Sequence, residues 1–182
     1  IRKIKEVLQR NIIGDIDYME MRMLQFGSFS ADSVFNVLAS HLFSILCEWN
    51  LIDGMIFEFD FLIKKDGIIE TGEVYFKKNN LQGNIFVSLN SPIRERTINI
   101  FGSKGFISFN PLREAALQVF LYKNYDSESN GWRNTENYKF DESNTLTNVL
   151  DYLHNVLVGL ESDNLKMAMK VAEILEKAKE SA

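Results

Sequence analysis

The stretch DSVFNVLASHLFSILCEW, residues Asp32–Trp49, decides how this chain can fold. Its apolar residues recur at the three- and four-residue spacing of an α-helix, but they extend nearly all the way round the helix axis. A helix that lies on one sheet and faces water on its other side shows a clear polar stripe. We therefore predict a helix that is covered on two sides, with His41, one of only two histidines in the chain, at its middle.

Length and composition restrict the class of protein. The 182 residues fit one domain with a hydrophobic core. The net charge of −5 argues against a broad basic surface for nucleic acid. The only cysteine, Cys47, excludes an internal disulfide and a multi-cysteine zinc site, and it suits a reducing, cytoplasmic location. No apolar run approaches the ~20 residues that span a bilayer, so we expect no membrane partner.

Strands dominate the middle of the sequence. Period-two alternation predicts strands over 15–24, 55–63, 68–77, 81–89, 94–101 and 106–109, and turn residues such as those at 65–67 and 102–105 separate them. Pro92 is predicted to break the run between two of these strands. Residues 115–122 fit either a strand or a helix, and we favour the strand. Short connections between consecutive strands predict an antiparallel meander.

Amphipathic helices are predicted at both ends of the chain. Gly14 either stops the first helix or turns the chain just beyond its end. Of the two closing helices, one ends near Gly159 and the other is capped by Ser162. The polar interval 124–144 is predicted to be a loop. The resulting fold class is α+β, with a predominantly antiparallel open sheet and helices packed on one face.

Few residues point to chemistry by themselves. The sequence contains no GxGxxG, the fingerprint of a dinucleotide-binding turn, so we assign no cofactor-binding residue to this chain. His41 and His154 are too far apart in sequence to suggest a metal site, and we expect none. His154 is interpreted as a solvated residue. For His41 two interpretations stay open, a neutral core histidine with both ring nitrogens hydrogen-bonded or a proton carrier.

Three stretches of sequence carry a family resemblance. Residues 4–16 contain a predicted helix followed by IIGDI, which leads into the first strand. Residues 37–44 read VLASHLFS, and residues 70–109 include LQGNI and FGSKGF. Together they resemble the helix-then-GxIG, D-x-G-x-H-x-x-D, G-x-x-G-x-I and G-x-x-G elements of the C-terminal domain of the Gfo/Idh/MocA family of NAD(P)-dependent sugar oxidoreductases. The resemblance implies a fold like the C-terminal domain of glyceraldehyde-3-phosphate dehydrogenase, with residues 1–182 forming a single substrate-binding and dimerisation domain.

The resemblance also implies a division of labour. NAD or NADP would be bound mainly by an N-terminal Rossmann domain, which is absent from this chain. The start at Ile1, directly in helical periodicity, fits a fragment that is inactive alone. His41 matches the family's helix histidine, whose implied role is to bind a substrate hydroxyl and assist proton removal. Val37 and Ser44 replace the family's two aspartates. Asn36 lies one residue before Val37, and it could take the place of the family's aspartate there only if the start of the helix is distorted.

The resemblance therefore implies that Asn36 and Ser44 are substrate-binding residues and that the substrate is sugar-like, with the hydroxyl of a sugar or nucleotide sugar reacting. It also implies a homo-oligomer formed through the open sheet face, and the Phe-, Met- and Ile-rich alternation favours this because such a face is too apolar to stay wet. Two alternatives stay open. One is a non-catalytic ligand-binding or assembly module on the same fold, and the other is an unrelated α+β ligand-binding domain.

Overall fold

A computed structural model describes residues 1–27, 32–133, 136–138, 145–160 and 163–181. The helices are α1 (Arg2–Gln9), a π-helical turn (Phe35–Ala39) that continues into α2 (Ser40–Glu48), a short 3-10 helix (Tyr122–Asn124), α3 (Thr145–Leu157) and α4 (Leu165–Glu180). The strands are β1 (Ile16–Phe26), β2 (Ile56–Lys65), β3 (Ile68–Lys78), β4 (Leu81–Ser88), β5 (Asn90–Gly102), β6 (Gly105–Phe109), β7 (Leu117–Leu121), β8 (Tyr125–Asp126), β9 (Gly131–Trp132) and β10 (Glu136–Tyr138).

Eight of these strands form one open sheet in the order β10-β7-β6-β5-β1-β4-β3-β2. Neighbouring strands are antiparallel except β1 and β4, which run parallel. The α+β class and the predominantly antiparallel sheet are confirmed, as is the strand favoured for residues 115–122. The predicted meander holds from β2 to β4 and from β5 to β7. It is wrong between β4 and β5, because β1 lies between them and pairs with both.

One face of the sheet carries the hydrophobic core. On β1 the alternation predicted from the sequence is present, and Met19, Met21 and Met23 are 0%, 0% and 8% exposed. Helices α1, α2 and α4 add their own buried apolar residues to the same cluster: Ile4 and Val7, then Leu42, Phe43 and Leu46, then Val171 and Ile174. The helices therefore pack on one face of the sheet, as predicted, and the opposite face is left open.

Pro92 does not break the extended chain, which corrects the sequence prediction. Strand β5 runs from Asn90 through Pro92 to Gly102. Its continuous pairing with β1 begins at Glu95, and an isolated pair joins Asn90 to Phe26 across an irregularity in register. Pro92 thus lies between the paired positions. Its missing N–H costs no ladder hydrogen bond there, so a proline is tolerated.

Gly14 turns the chain just beyond α1, which ends at Gln9. Its φ of +77° lies in the left-handed region that glycine adopts without strain. A Cβ at this position would lie 2.2 Å from the hydroxyl oxygen of Ser103. The N–H of Asp15 donates to that oxygen at 3.2 Å, and the N–H of Ser103 donates to the Asp15 carbonyl at 2.9 Å. The turn predicted at 102–105 therefore packs directly on the connection between α1 and β1.

The polar interval after β7 holds more regular structure than the predicted loop. Strands β8 and β9 pair as a two-residue ribbon, and β10 joins the main sheet beside β7. Strands of two or three residues are too short to show alternation, so the sequence pattern misses them. Residues 134–135 and 139–144, and the predicted helix cap at Ser162, lie outside the described residues.

Helix α3 carries an exposed apolar side. Leu150, Leu153 and Leu157 are 57%, 49% and 86% exposed, although the periodic pattern assigns them to the helix's apolar face. His154 on the same helix is exposed, in agreement with its interpretation as a solvated residue. Within the described ranges, none of the helices has the length and apolar character to cross a bilayer.

Candidate functional site

The helix formed by the π-helical turn and α2 has one solvent-facing side, so the described residues supply only one of the two covers predicted from the sequence. Asn36 and His41 are exposed, and Ser40, Ser44 and Glu48 are half-buried. The sequence did contain a signal for this side. Asn36, Ser40, Ser44 and Glu48 are spaced four residues apart, which is the spacing of a polar stripe on a helix.

The π-helical turn ends at Ser40, whose hydroxyl and N–H donate to two different carbonyls. Its hydroxyl donates to the carbonyl of Asn36 at 2.7 Å, and that carbonyl is the one its own N–H would use in an α-helix. The N–H of Ser40 donates instead to the carbonyl of Phe35, five residues back, which is the hydrogen bond that defines a π-helix. The Ser44 hydroxyl donates to the Ser40 carbonyl in the same way within regular α-helix, so the serine hydrogen bond accompanies the wider turn but does not by itself produce it.

The widened turn changes which residues share a side of the helix. A π-helical turn contains one residue more than an α-helical turn, so residues five apart across it come closer to a common side. Asn36 and His41 are five apart, and both are exposed. The distortion that would let Asn36 act in place of a carboxylate at Val37 is therefore present.

His41 is not a satisfied core histidine, since its side chain faces solvent. Among the described residues, none forms a hydrogen bond with its ring. An exposed imidazole can bind a hydroxyl and accept its proton. Val37, one turn away and half-buried, has no polar atom that could fix the orientation of the ring. The geometry permits proton transfer but does not preorganise it.

Ser44 lies one turn beyond Ser40 and is half-buried. Its hydroxyl donates to the carbonyl of Ser40 at 2.9 Å. A hydroxyl has a single hydrogen to donate, so Ser44 keeps only its lone pairs for a ligand. It can accept a hydrogen bond from a substrate hydroxyl, and the carboxylate that the family has here would do the same with a full negative charge.

A cavity of about 530 Å³ lies at the start of this helix. The π-helical turn forms one wall, the β2–β3 hairpin a second, and α4 a third. Its lining comprises Asp32, Ser33, Phe35, Asn36, Lys64, Gly67, Ile68, Ile69, Ala172, Leu175, Glu176, Ala178 and Lys179. Of the three residues predicted for the site, Asn36 lines this cavity, whereas His41 and Ser44 lie further along the helix outside its lining.

An ion pair between Asp53 and Lys170 ties the loop after α2 to α4, the third wall of the cavity. The hydrogen bond from Lys170 holds the pKa of Asp53 below its usual range. The same bond raises the pKa of Lys170. Both directions favour the charged pair, but both groups are exposed to solvent, so the pair contributes little to stability.

The residues present do not fit a dinucleotide or a metal. The strands are joined mainly by hairpins, and the sequence has no glycine-rich turn that leads from a strand into a helix and could cradle a pyrophosphate. Across the part of the chain that the structure describes, no three His, Cys, Asp or Glu side chains approach closely enough to hold a metal ion. The arrangement on α2 is suited to binding a hydroxylated ligand and exchanging a proton with it.

The open face of the sheet carries a row of stacked aromatic side chains, Tyr18, Phe101, Phe106, Phe120 and Trp132, which we call the aromatic row. Ring centroids of successive members lie 4.8–6.1 Å apart. The row crosses β1, β5, β6 and β7 and ends on the β8–β9 ribbon. Tyr18, Phe101 and Trp132 are each about two-fifths exposed.

Polar groups lie beside the aromatic row on the open face, with Glu20 and Asn99 on β1 and β5 and with Glu73 and Asn84 on the neighbouring strands β3 and β4. Tyr18 donates to Asn84 at 2.9 Å, and Asn84 donates to Glu73 at 2.5 Å. Asn99 donates to Glu20 at 3.3 Å. The Met and Ile side chains that were expected to make this face apolar point into the core instead. The open face therefore has one band of aromatic side chains and a neighbouring band of polar ones.

The scan against family models and the search of curated proteins found no match. Solved structures do match. A 3-ketoreductase from Actinomadura kijaniata, in complex with NADP and TDP-benzene, has a TM-score of 0.76 at 10% identity over 98% of this chain and 57% of its own. UDP-N-acetylglucosamine 3-dehydrogenase from Acidithiobacillus ferrooxidans has 0.73 at 15%, over 94% and 55%. Levoglucosan dehydrogenase, in complex with NADH and levoglucosan, has 0.58 at 18%, over 74% and 42%.

The chain thus spans about half the length of the solved structures that it matches. At these identities the likeness is one of fold. All three proteins are oxidoreductases by name, two of them are named for a sugar or a nucleotide sugar, and two were solved with NADP or NADH. The structural neighbours of this chain are Gfo/Idh/MocA-type sugar oxidoreductases, and its fold is that of their C-terminal domain, as the sequence resemblance implied.

Proposed function

We propose that this chain is the C-terminal substrate-binding domain of an NAD(P)-dependent oxidoreductase that acts on a hydroxyl of a sugar or nucleotide sugar. The observation that carries the proposal is the fold match to a 3-ketoreductase over 98% of the chain. The exposed His41, on a helix that begins at a ligand-sized cavity, supports placing the substrate along α2.

In this proposal His41 binds the reacting hydroxyl, and one of its imidazole nitrogens takes the hydroxyl proton. Asn36, on the same exposed side, holds the substrate through its amide, which can both donate and accept hydrogen bonds. Ser44 accepts a hydrogen bond from a neighbouring hydroxyl. Because no described carboxylate orients the His41 ring, we expect proton transfer to be slower than in a site that has one.

NAD or NADP would be bound by another domain of the intact protein, since the residues here do not fit it. When bound, the cofactor supplies a hydride acceptor or donor. The work of this chain is then to hold the substrate and to take up the hydroxyl proton, and the chain alone would be inactive. The single cysteine and the nature of the reaction favour a cytoplasmic protein.

The open face of the sheet is the proposed surface for self-association. The aromatic row supplies the kind of side chain that dominates the energetics of protein interfaces. The polar band beside it already forms internal hydrogen bonds, so a second copy can cover it without leaving those groups unpaired. Sedimentation velocity over a concentration series checks this, and a monomer at every concentration contradicts it.

A non-catalytic binding module on the same fold is the second candidate. Val37 and Ser44 favour it, because neither replaces the charge of the carboxylates in the family motif. Turnover of the intact protein separates the two candidates. NAD(P)H formation or consumption with any sugar supports the enzyme, whereas saturable sugar binding without turnover supports the module.

Titration calorimetry of the 182-residue chain directly tests whether the cofactor is bound by another domain. We expect neither NADP⁺ nor NADPH to bind to this chain, because none of the residues that the structure describes is arranged to hold a pyrophosphate. Micromolar binding of either form would overturn the assignment of the cofactor to another domain.

A further inference from the structure

The cavity at the start of the helix has the size and surface of a small-molecule site. Its volume of about 530 Å³ falls within the range of roughly 300–1,000 Å³ typical of ligand pockets. Its lining includes the apolar side chains of Phe35, Ile69 and Ala178, which are buried, beside polar and charged groups. Its wall includes a π-helical turn, a feature found frequently at functional sites.

The charged groups on the rim of the cavity balance one another. Among its described lining residues, the cations are Lys64 and Lys179 and the anions are Asp32 and Glu176. The Lys179 ammonium lies 4.0 Å from the Glu176 carboxylate, so part of its charge is already offset. A diphosphate is bound by clustered Arg or Lys side chains or by free backbone N–H groups at a helix start. Here the first N–H of the turn, that of Phe35, already donates to the Ser33 hydroxyl at 3.3 Å.

An uncharged, hydroxylated ring fits this lining better than a nucleoside diphosphate does. The C–H face of such a ring can lie on the apolar side chains of the lining, and its hydroxyls can reach the Asn36 amide and the hydroxyl of Ser33. Asn36 is exposed, and no described group hydrogen-bonds to its amide, so the amide can meet a ligand without losing a partner. His41 lies about one turn further along the same helix.

We infer that this cavity binds an uncharged sugar or polyol, and that the balanced charges on its rim select against nucleotide sugars. The inference rests on the proposed function in placing the substrate along α2, and it narrows the substrate class from the sugar or nucleotide sugar given there. Asn36 makes the principal polar contact to the ring, and Glu176 is the residue that repels a phosphate.

Titration calorimetry on the 182-residue chain tests the inference, with levoglucosan and L-sorbose as uncharged probes and thymidine diphosphate as the charged one. We expect at least one sugar to bind more tightly than thymidine diphosphate. Loss of the Asn36 amide in Asn36→Ala should weaken sugar binding about tenfold, which corresponds to one hydrogen bond of about 1.4 kcal/mol.

Charge reversal supplies the matched control. Glu176→Lys should raise the affinity for thymidine diphosphate several-fold, because it turns a repelling group into an attracting one. Glu180→Lys makes the same charge change on the same helix outside the cavity lining, and we expect no such gain. An equal gain in both variants would mean that the effect comes from net charge, which overturns the inference.

The inference is also overturned if neither sugar binds saturably, if thymidine diphosphate binds more tightly than both, or if Asn36→Ala leaves sugar binding unchanged. These results are distinct from failure of the proposed function. Turnover of a nucleotide sugar by the intact protein would refute this inference and support the oxidoreductase. Sugar binding that depends on Asn36 in a protein without turnover would leave this inference standing and refute the oxidoreductase.

Discussion

Replacing Gly72 with alanine tests whether strand β3 holds the π-helical turn in place. A Cβ on Gly72 would lie 2.4 Å from Cζ of Phe35, 3.1 Å from its Cε1 and 3.0 Å from the Asp60 carbonyl oxygen. Phe35 cannot move freely, since it is 2% exposed and its ring meets those of Phe59 and Phe61 edge-on at 5.8 and 5.7 Å. Its carbonyl also accepts the π-helical hydrogen bond from Ser40.

The sign of the effect distinguishes this geometry from a loosely packed one. Without a clash, glycine to alanine in a strand would stabilise the fold by roughly 0.5–1 kcal/mol, because alanine loses less conformational entropy on folding. With carbon atoms at 2.4 Å against an ordinary contact of about 3.5–4.0 Å, the Phe35 ring must shift by about 1 Å. Overpacking of this kind costs about 1–3 kcal/mol. We therefore expect Gly72→Ala to lower the free energy of unfolding by about 2 kcal/mol.

Urea denaturation followed by circular dichroism measures this change. With a urea slope of about 2 kcal/mol/M, the midpoint should fall by about 1 M. Gly131→Ala is the matched control, because a Cβ there meets nothing closer than 3.7 Å, and its midpoint should stay near that of the wild type. The double change Gly72→Ala with Phe35→Leu should recover part of the loss. A Gly72→Ala midpoint equal to or above the wild-type midpoint would refute the reasoning.

Two further predictions concern buried and charged contacts. The hydroxyls of Thr71 and Ser88, both 5% exposed, form a hydrogen bond of 2.8 Å, and Ser88 also accepts the N–H of Asn90 at 3.1 Å. Ser88→Ala should lower the free energy of unfolding by about 1–3 kcal/mol, and by more than Thr71→Val does. A double-mutant cycle measured by urea denaturation should show coupling between the two positions. Equal and additive losses of stability would contradict this prediction. The second prediction concerns the Asp53–Lys170 ion pair, which lowers the pKa of Asp53 in the folded protein. The ion pair therefore stabilises the fold fully above the ordinary carboxyl pKa of 3.8, and this stabilisation is lost as the pH falls through the lowered pKa. The midpoint of Asp53→Asn should therefore lie slightly below the wild-type midpoint near neutral pH and merge with it in acid, and a difference that persists in strong acid contradicts the assignment.

Most of the sheet could be predicted from the sequence, because alternation reports which side chains face a core. The buried methionines of β1 follow from the period-two pattern, and the hairpin turns follow from turn-forming residues such as those at 65–67. The central position of β1 could not be predicted, since local patterns do not specify which non-consecutive strands pair. Pro92 was misjudged for a related reason, because its cost depends on whether a partner strand needs its N–H.

The candidate site was predictable only in part. The sequence resemblance located His41, and the structure adds that it is exposed. The π-helical turn was not predictable, because a serine hydroxyl that donates to the carbonyl four residues back occurs both in this turn, at Ser40, and in regular α-helix, at Ser44. The cavity was missed because it joins the helix start to α4, which lies more than a hundred residues later in the sequence.

Steady-state kinetics of His41→Ala in the intact protein tests the proposed oxidoreductase most directly, with His154→Ala as the control on the chain's other histidine. Following NAD(P)H absorbance with a sugar substrate, we expect kcat to fall about 10²–10⁴-fold in His41→Ala, as for removal of a general base, with a much smaller change in KM. His154→Ala should keep wild-type kinetics, because that exposed residue lies on α3. A His41→Ala protein that turns over at the wild-type rate would contradict the assignment of proton uptake to this helix.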